Sequence, residues 1–219
     1  MILHHIPFSR SFRVLWMLEE LGLEAQILTY SITDGSLRTG EFLGINPLGR
    51  VPALEWNGSV LRESGAILQM LAEAYPDAGL DRPMGDATRG RYLELLGFAE
   101  TMGSQVEALN MQHLFLRDPA QASPTVMKLN TARLRAALQV LEDSLGDQEY
   151  LLADGVSAAD MMMGFNLFAA PYYVPMEGFA RLSAYRDRLA VRPAYQSARA
   201  KDGKQDFYRK DFYPIPDAS

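Results

Sequence analysis

Residues 46–64 read Asn46-Pro47-Leu48-Gly49-Arg50-Val51-Pro52-Ala53-Leu54-Glu55-Trp56-Asn57-Gly58-Ser59-Val60-Leu61-Arg62-Glu63-Ser64. Two short strand-like runs, 52–56 and 59–62, flank Asn57-Gly58. Both central residues of such a link tolerate positive φ, so it is the strongest local signal for a tight hairpin. Pro52 withholds an amide from any ladder and therefore belongs at a strand start or edge. Ser64 reads as the cap of a helix over 65–75, closed by Pro76.

Working outward from this stretch, residues 1–6 form a β-prone run stopped by Pro7. Residues 11–21 carry apolar side chains at Phe12, Val14, Leu15, Trp16, Leu18 and Leu21, a helical period with two buried flanks, and Gly22 supplies the stop. Residues 24–30 read as a second strand, Asp34-Gly35 as a loop, and 37–43 as a short helix. The order strand, helix, strand, helix, hairpin, helix predicts a small sheet with helices on both faces. A stretch rich in Pro, Gly and Asp follows. Beyond it no strand pair is visible, and helices are predicted over 87–116, 125–145, 157–169, 177–189 and 193–200. The fold class is therefore α/β plus all-α: a βαβαββα domain over 1–77, a linker over 78–85, and an all-helical domain over 86–219.

Composition narrows the chemistry. The 219 residues carry a formal charge of -6, which disfavours nucleic acid and anionic membrane surfaces as partners. No apolar run approaches the ~20 residues that span a bilayer, and the first residues lack the basic start of a signal peptide, so a cytoplasmic protein is expected. The chain has no cysteine, which removes disulfides, cysteine-ligated zinc and a protein thiol nucleophile. Its three histidines, His4, His5 and His113, are too few and scattered to predict a metal site. Any thiol chemistry must use a thiol that arrives with a substrate.

Four features in fixed order resemble the glutathione transferase superfamily. They are Ser9-Arg10-Ser11-Phe12-Arg13-Val14-Leu15, the stretch Asn46 to Leu54 with Val51-Pro52, Glu63-Ser64, and Gly155-Val156-Ser157-Ala158-Ala159-Asp160. Within that superfamily the chain resembles the serine-type bacterial and fungal branch. The resemblance implies a thioredoxin-like first domain that binds glutathione as co-substrate, and a helical domain offering an apolar site to a small hydrophobic electrophile. It also implies a cytoplasmic homodimer acting in detoxification, with contacts through the helix after Ser64 and the helix starting near Ala87.

By that resemblance the Val51-Pro52 bond is cis, and the backbone of Val51 pairs with the cysteinyl part of glutathione as an added strand would. Arg50 would meet the glycine carboxylate. Ser64 and its amide at a helix N-terminus suit the γ-glutamyl carboxylate, and Glu63 suits the ammonium. Ser9, four residues before Arg13, would donate a hydrogen bond to the sulfur and favour the thiolate. Each residue also has a plainer role. Ser9 could be a loop or cap residue, Arg50 a surface charge, and Ser64 simply an N-cap. Ser11 competes with Ser9, although it also reads as a helix cap. Ser157 to Asp160 reads as a capping box with Asp in place of the usual Glu or Gln. Met161-Met162-Met163 with Phe165 and Phe168 reads foremost as core. Two other functions fit the same pattern: a non-catalytic binding or interaction module, and a glutathione-dependent disulfide or peroxide reductase.

Overall fold

The computed structural model describes residues 1–205 and 207–215; residues 206 and 216–219 of the expected helical domain lie outside the described residues. In chain order the regular elements are β1 (Ile2–His5), α1 (Ser11–Glu20), β2 (Gln26–Thr29), α2 (Gly40–Ile45), β3 (Ala53–Trp56), β4 (Ser59–Arg62), α3 (Ser64–Ala74), α4 (Arg89–Asn110), α5 (Pro124–Leu145), α6 (Ala158–Ala169), α7 (Ala180–Ala190) and α8 (Pro193–Asp202). They group into two compact units, Met1–Arg89 with Ala190–Gln205, and Gly90–Leu189 with Asp206–Ser219.

The first unit is built on a four-stranded sheet of order β2-β1-β3-β4. β1 runs parallel to β2 and antiparallel to β3, with Leu3 opposite Ile27 on one side and Leu54 on the other. β3 and β4 form the expected hairpin, Trp56 opposite Ser59, and its two-residue link has φ of 49° at Asn57 and 74° at Gly58. Both values lie where an Asn-Gly pair is at ease.

Successive side chains of a strand point to opposite faces, and β1 uses this to dress both sides of the sheet. His4 meets the α2 side, its ring 5.8 Å from that of Phe42, while its nitrogens lie 2.9 Å from the Tyr30 hydroxyl and 2.9 Å from Glu55 Oε1. His5 points to the α1 side. The predicted helix over 37–43 resolves into a 3-10 turn, Ser36–Arg38, and α2, whose cap is Thr39 accepting from the Phe42 amide at 3.2 Å.

Residues Ser11 to Leu18 of α1 are all buried, including Arg13. The helix packs on α3 and α8. Trp16 and Phe12 meet the Tyr195 ring edge-on at 5.0 and 5.5 Å, and Arg192 grips Glu20 with two nitrogens at 2.7 Å. α8 thus returns from far along the chain to cover the first unit.

The second unit is helical. α4 ends in a wide π turn, Met111–Phe115, where the sequence predicts that the helix over 87–116 continues. α6 is buried on nearly every side, so the methionine run, Met161 to Met163, is core. Its capping box forms as expected, with the Ser157 amide donating to Asp160 Oδ2 at 2.7 Å. Asp160 does more than cap: it also accepts from the Leu151 amide at 3.1 Å and the Tyr185 hydroxyl at 2.6 Å. Glu142 of α5 takes the amides of Arg181 and Leu182 at 3.0 and 2.9 Å and so caps α7 from a distance. The final segment docks through the Tyr213 amide on the Tyr172 carbonyl at 2.8 Å and through Tyr208, which stacks on Tyr172 at 4.0 Å.

Candidate functional site

A cleft opens in the first unit, lined by Arg10, Asn46, Leu48, Arg50, Val51, Pro52, Glu63 and Ser64. Five of these, Arg50, Val51, Pro52, Glu63 and Ser64, are residues singled out in the sequence. The loop before β3 is held by Asn46, which is almost wholly buried. Its side chain donates to the Arg50 carbonyl at 2.7 Å and accepts from the Leu48 amide at 3.1 Å. Gly49, at φ 61°, passes so close to Arg38 that a Cβ there would lie 2.5 Å from a guanidinium nitrogen. The tight loop delivers a cis Val51-Pro52 bond. Both residues precede the β3 ladder, whose first registered pair is Ala53 with Arg62.

The opposite wall is the start of α3. Here the structure departs from the predicted cap: Glu63 occupies the N-cap position and Ser64 is the first helical residue. Glu63 has φ 70° and ψ 111°, a conformation that a side-chain-bearing residue adopts only at a cost of order 1–3 kcal/mol. The cost is met by the packing around it, since Ser64 beside it is buried and accepts a 2.9 Å hydrogen bond from Arg13. The guanidinium can only donate, so in this bond the Ser64 hydroxyl is the acceptor. A serine O–H, helix amides and a nearby guanidinium together form a donor-rich corner suited to a carboxylate.

Ser9 stands one residue before Arg10 and is half-buried; it is not among the residues that line the cleft. Its hydroxyl lies 2.8 Å from that of Ser11 and accepts from the Ser11 amide at 3.2 Å. Ser11 is the first residue of α1 and wholly buried, and its hydroxyl also reaches His5 Nδ1 at 2.8 Å. The N-cap position expected for a serine is instead held by Arg10, without a side-chain cap bond. The two serines therefore form one hydrogen-bonded pair, the outer one half-exposed and the inner one sealed.

Sequence reasoning did not assign Arg10, Asn46 or Leu48 to the cleft, nor Arg13 to Ser64. Arg13 did carry a signal: a charge within the apolar run Phe12 to Leu18 demands a buried partner. In the second unit, His113 stacks on Tyr173 at 5.5 Å, and burial together with Lys210 lowers its pKa. Among the described residues no cluster of His, Cys, Asp or Glu could hold a metal ion, and no helix is long and apolar enough to cross a membrane.

The first unit is a thioredoxin-like domain whose Val51-Pro52 loop shares a cleft with the start of α3, and a helical unit accompanies it in the same chain. The comparisons make that particular. Residues 1–73 match the family model described as glutathione S-transferase, N-terminal domain. The chain is 30% identical to glutathione S-transferase F10 of Arabidopsis thaliana, over 89% of this chain and 94% of that one. It is 29% identical to glutathione S-transferase GstA of Escherichia coli O157:H7, over 85% and 90%. A sphingomonad glutathione S-transferase solved in complex with glutathione superimposes with a TM-score of 0.79 at 27% identity, over 92% of this chain and 98% of that one. The chain belongs to the glutathione transferase family.

Proposed function

We propose that the protein conjugates glutathione, as its thiolate, to small hydrophobic electrophiles, and that it belongs to the serine-type branch. The single observation that carries the reading is the meeting of Arg50, Val51, Pro52, Glu63 and Ser64 in one cleft. Glutathione lies extended along it. Its cysteinyl backbone pairs with Val51, its glycine carboxylate meets Arg50, its γ-glutamyl carboxylate meets Ser64 and the α3 amides, and its ammonium meets Glu63.

Ser9 donates to the sulfur. A thiol of pKa ~8.5 is only about 3% ionised at neutral pH, and lowering it by ~2 units makes thiolate the major form, at ~2.7 kcal/mol. One hydrogen bond to a charged group supplies about 1.5–3 kcal/mol, so a single hydroxyl is of the right size. The glutathione domain is residues 1–77, and the helical domain, 86–219, binds the hydrophobic electrophile; holding both reactants on one protein lowers the bimolecular barrier. A cytoplasmic homodimer with a role in detoxification completes the proposal; half-exposed Met70 on α3 and Leu93 on α4 are apolar side chains that such a contact would cover.

The test pairs calorimetry with glutathione and turnover of an aryl halide. Ser9→Ala should leave glutathione affinity within about threefold and lower kcat at least tenfold, since the lost bond acts on the thiolate. Binding without turnover, unchanged by Ser9→Ala, would replace the enzyme with a binding module.

A further inference from the structure

Behind Ser9 runs a line of buried polar groups that the conjugation reading does not use. His5 Nε2 lies 3.0 Å from the Asp202 carbonyl and 3.2 Å from its carboxylate, both side chains wholly buried. Asp202 also accepts from the Phe8 amide at 3.2 Å and from Arg199. His5 Nδ1 lies 2.8 Å from the Ser11 hydroxyl, which lies 2.8 Å from the Ser9 hydroxyl. All four residues belong to the first unit.

With His5 neutral, donor counting assigns a direction to each bond. Nε2 faces two acceptors, so it carries a proton. In the neutral ring Nδ1 then accepts, and the Ser11 proton goes to it, because the competing Ile6 carbonyl is farther, at 3.2 Å. Ser11 Oγ accepts from the Ile6 amide at 3.1 Å and has one lone pair left, which the Ser9 proton fills. In this resting state the Ser9 proton points inward, away from the cleft. A hydroxyl so aimed offers the incoming sulfur an acceptor, not a donor.

We propose that Ser9, Ser11 and His5, backed by Asp202, form a relay that takes the proton of the glutathione thiol; the proposal rests on Ser9 being the group that meets the sulfur. The S–H bond breaks, its electron pair stays on sulfur, and its proton passes to Ser9 Oγ. The Ser9 proton moves to Ser11 Oγ, and the Ser11 proton moves to His5 Nδ1. His5 ends with both nitrogens protonated, facing the Asp202 carboxylate. Every bond along the line is now reversed: Nδ1–H donates to Ser11, Ser11 to Ser9, and Ser9 to the thiolate. No lone pair is overfilled in either state, since Ser11 still accepts from the Ile6 amide and Ser9 from the Ser11 amide. The proton returns outward along the same path once the sulfur is consumed.

The charged groups facing this histidine, among the described contacts, come from α8 alone: Asp202, with Arg199 on its far side. From α1 His5 meets the Ser11 hydroxyl, and from the segment after β2 only the Tyr30 amide, on its carbonyl. Ser11, His5 and Asp202 are positioning residues, since they act on the sulfur only through Ser9.

The experiment titrates the ultraviolet absorbance of the thiolate of bound glutathione in the full-length protein, with S-methylglutathione binding, which involves no thiol proton, as the control. Ser11→Ala and His5→Gln should each raise the midpoint of the bound thiol by about one pH unit, a tenfold loss of thiolate in the foot of the curve. S-methylglutathione affinity should stay within about twofold, and Ser11→Thr, which keeps the hydroxyl, should restore the midpoint. If Ser9→Ala raises the midpoint but Ser11→Ala and Asp202→Asn do not, the relay is wrong and the Ser9 reading stands. If Ser9→Ala also leaves it unmoved, the Ser9 reading falls first. Should His5→Gln lose S-methylglutathione binding through misfolding, the contrast of Ser11→Ala with Ser11→Thr decides.

Discussion

Removing the Asp160 carboxylate should cost the helical unit more stability than any surface change. Its two oxygens accept four hydrogen bonds: from the Leu151 amide at 3.1 Å, the Ser157 amide at 2.7 Å, the Ser157 hydroxyl at 3.0 Å and the Tyr185 hydroxyl at 2.6 Å. Asp160→Ala strands two buried amides, each at about 1–3 kcal/mol, while the two hydroxyls can turn to other acceptors. Relief from burying a carboxylate offsets part of this, which leaves a net loss of about 3 kcal/mol. Asp160→Asn keeps one acceptor oxygen and opposes the other donors with an NH₂, for a loss of about 2 kcal/mol. Burial pushes the Asp160 carboxyl above 3.8, against the pull of its hydrogen bonds. Wild type therefore takes up a proton on folding in the window just above 3.8, and its advantage over the Asn variant grows as the pH falls through that window. Urea unfolding followed by far-ultraviolet circular dichroism measures the helical unit, while Trp16 and Trp56 report on the first unit by fluorescence. A loss below about 1 kcal/mol for Asp160→Ala would refute the claim that these amides depend on the carboxylate.

Phe42→Ala empties a wholly buried site where the ring lies 4.6 Å from Tyr30, and should cost about 3–5 kcal/mol in the fluorescence-monitored transition. Hydrogen bonds from Ser36 hold the Asp34 carboxyl below its ordinary value, and those from Thr88 do the same for Asp86. Their contribution is present above the ordinary value of 3.8 and is lost as the pH falls below it, so Asp34→Asn with Asp86→Asn should flatten the acid limb of the stability curve. Tyr208→Ala removes both the 2.7 Å bond to Asn110 and the stack on Tyr172, and should make the segment after α8 cleavable by dilute protease while leaving the circular dichroism transition within about 1 kcal/mol.

What could be read from the chain was what short stretches decide. The Asn57-Gly58 turn, the Ser157 capping box and the apolar period of α1 each depend on neighbours within a few residues, and all three form. Five cleft residues were legible because the stretch from Asn46 to Ser64 resembles the family's motifs, which lie close together in sequence. The π turn after Asn110 was not, since a helical period continues through it in sequence. Nor was the N-cap at Glu63, where positive φ is imposed by what surrounds the residue.

The long-range pairs had no local signature, yet they left a trace of another kind. Arg13 meets Ser64 across 51 residues, and His5 meets Asp202 across 197. Arg13 interrupts the buried apolar run Phe12 to Leu18, and His5 interrupts the stretch between buried Leu3 and Ile6. A charged or ring-nitrogen group placed there would cost several kcal/mol unless a partner were supplied from elsewhere. Such an interruption therefore announces that a partner exists, while leaving its identity to the tertiary structure. Here both interruptions resolve beside serines that the proposals give roles: Arg13 beside Ser64, and His5 beside Ser11 and, through it, Ser9. On the relay proposed above, the buried histidine sets which way the Ser9 proton points, and that direction decides whether the hydroxyl offers the sulfur an acceptor or a donor.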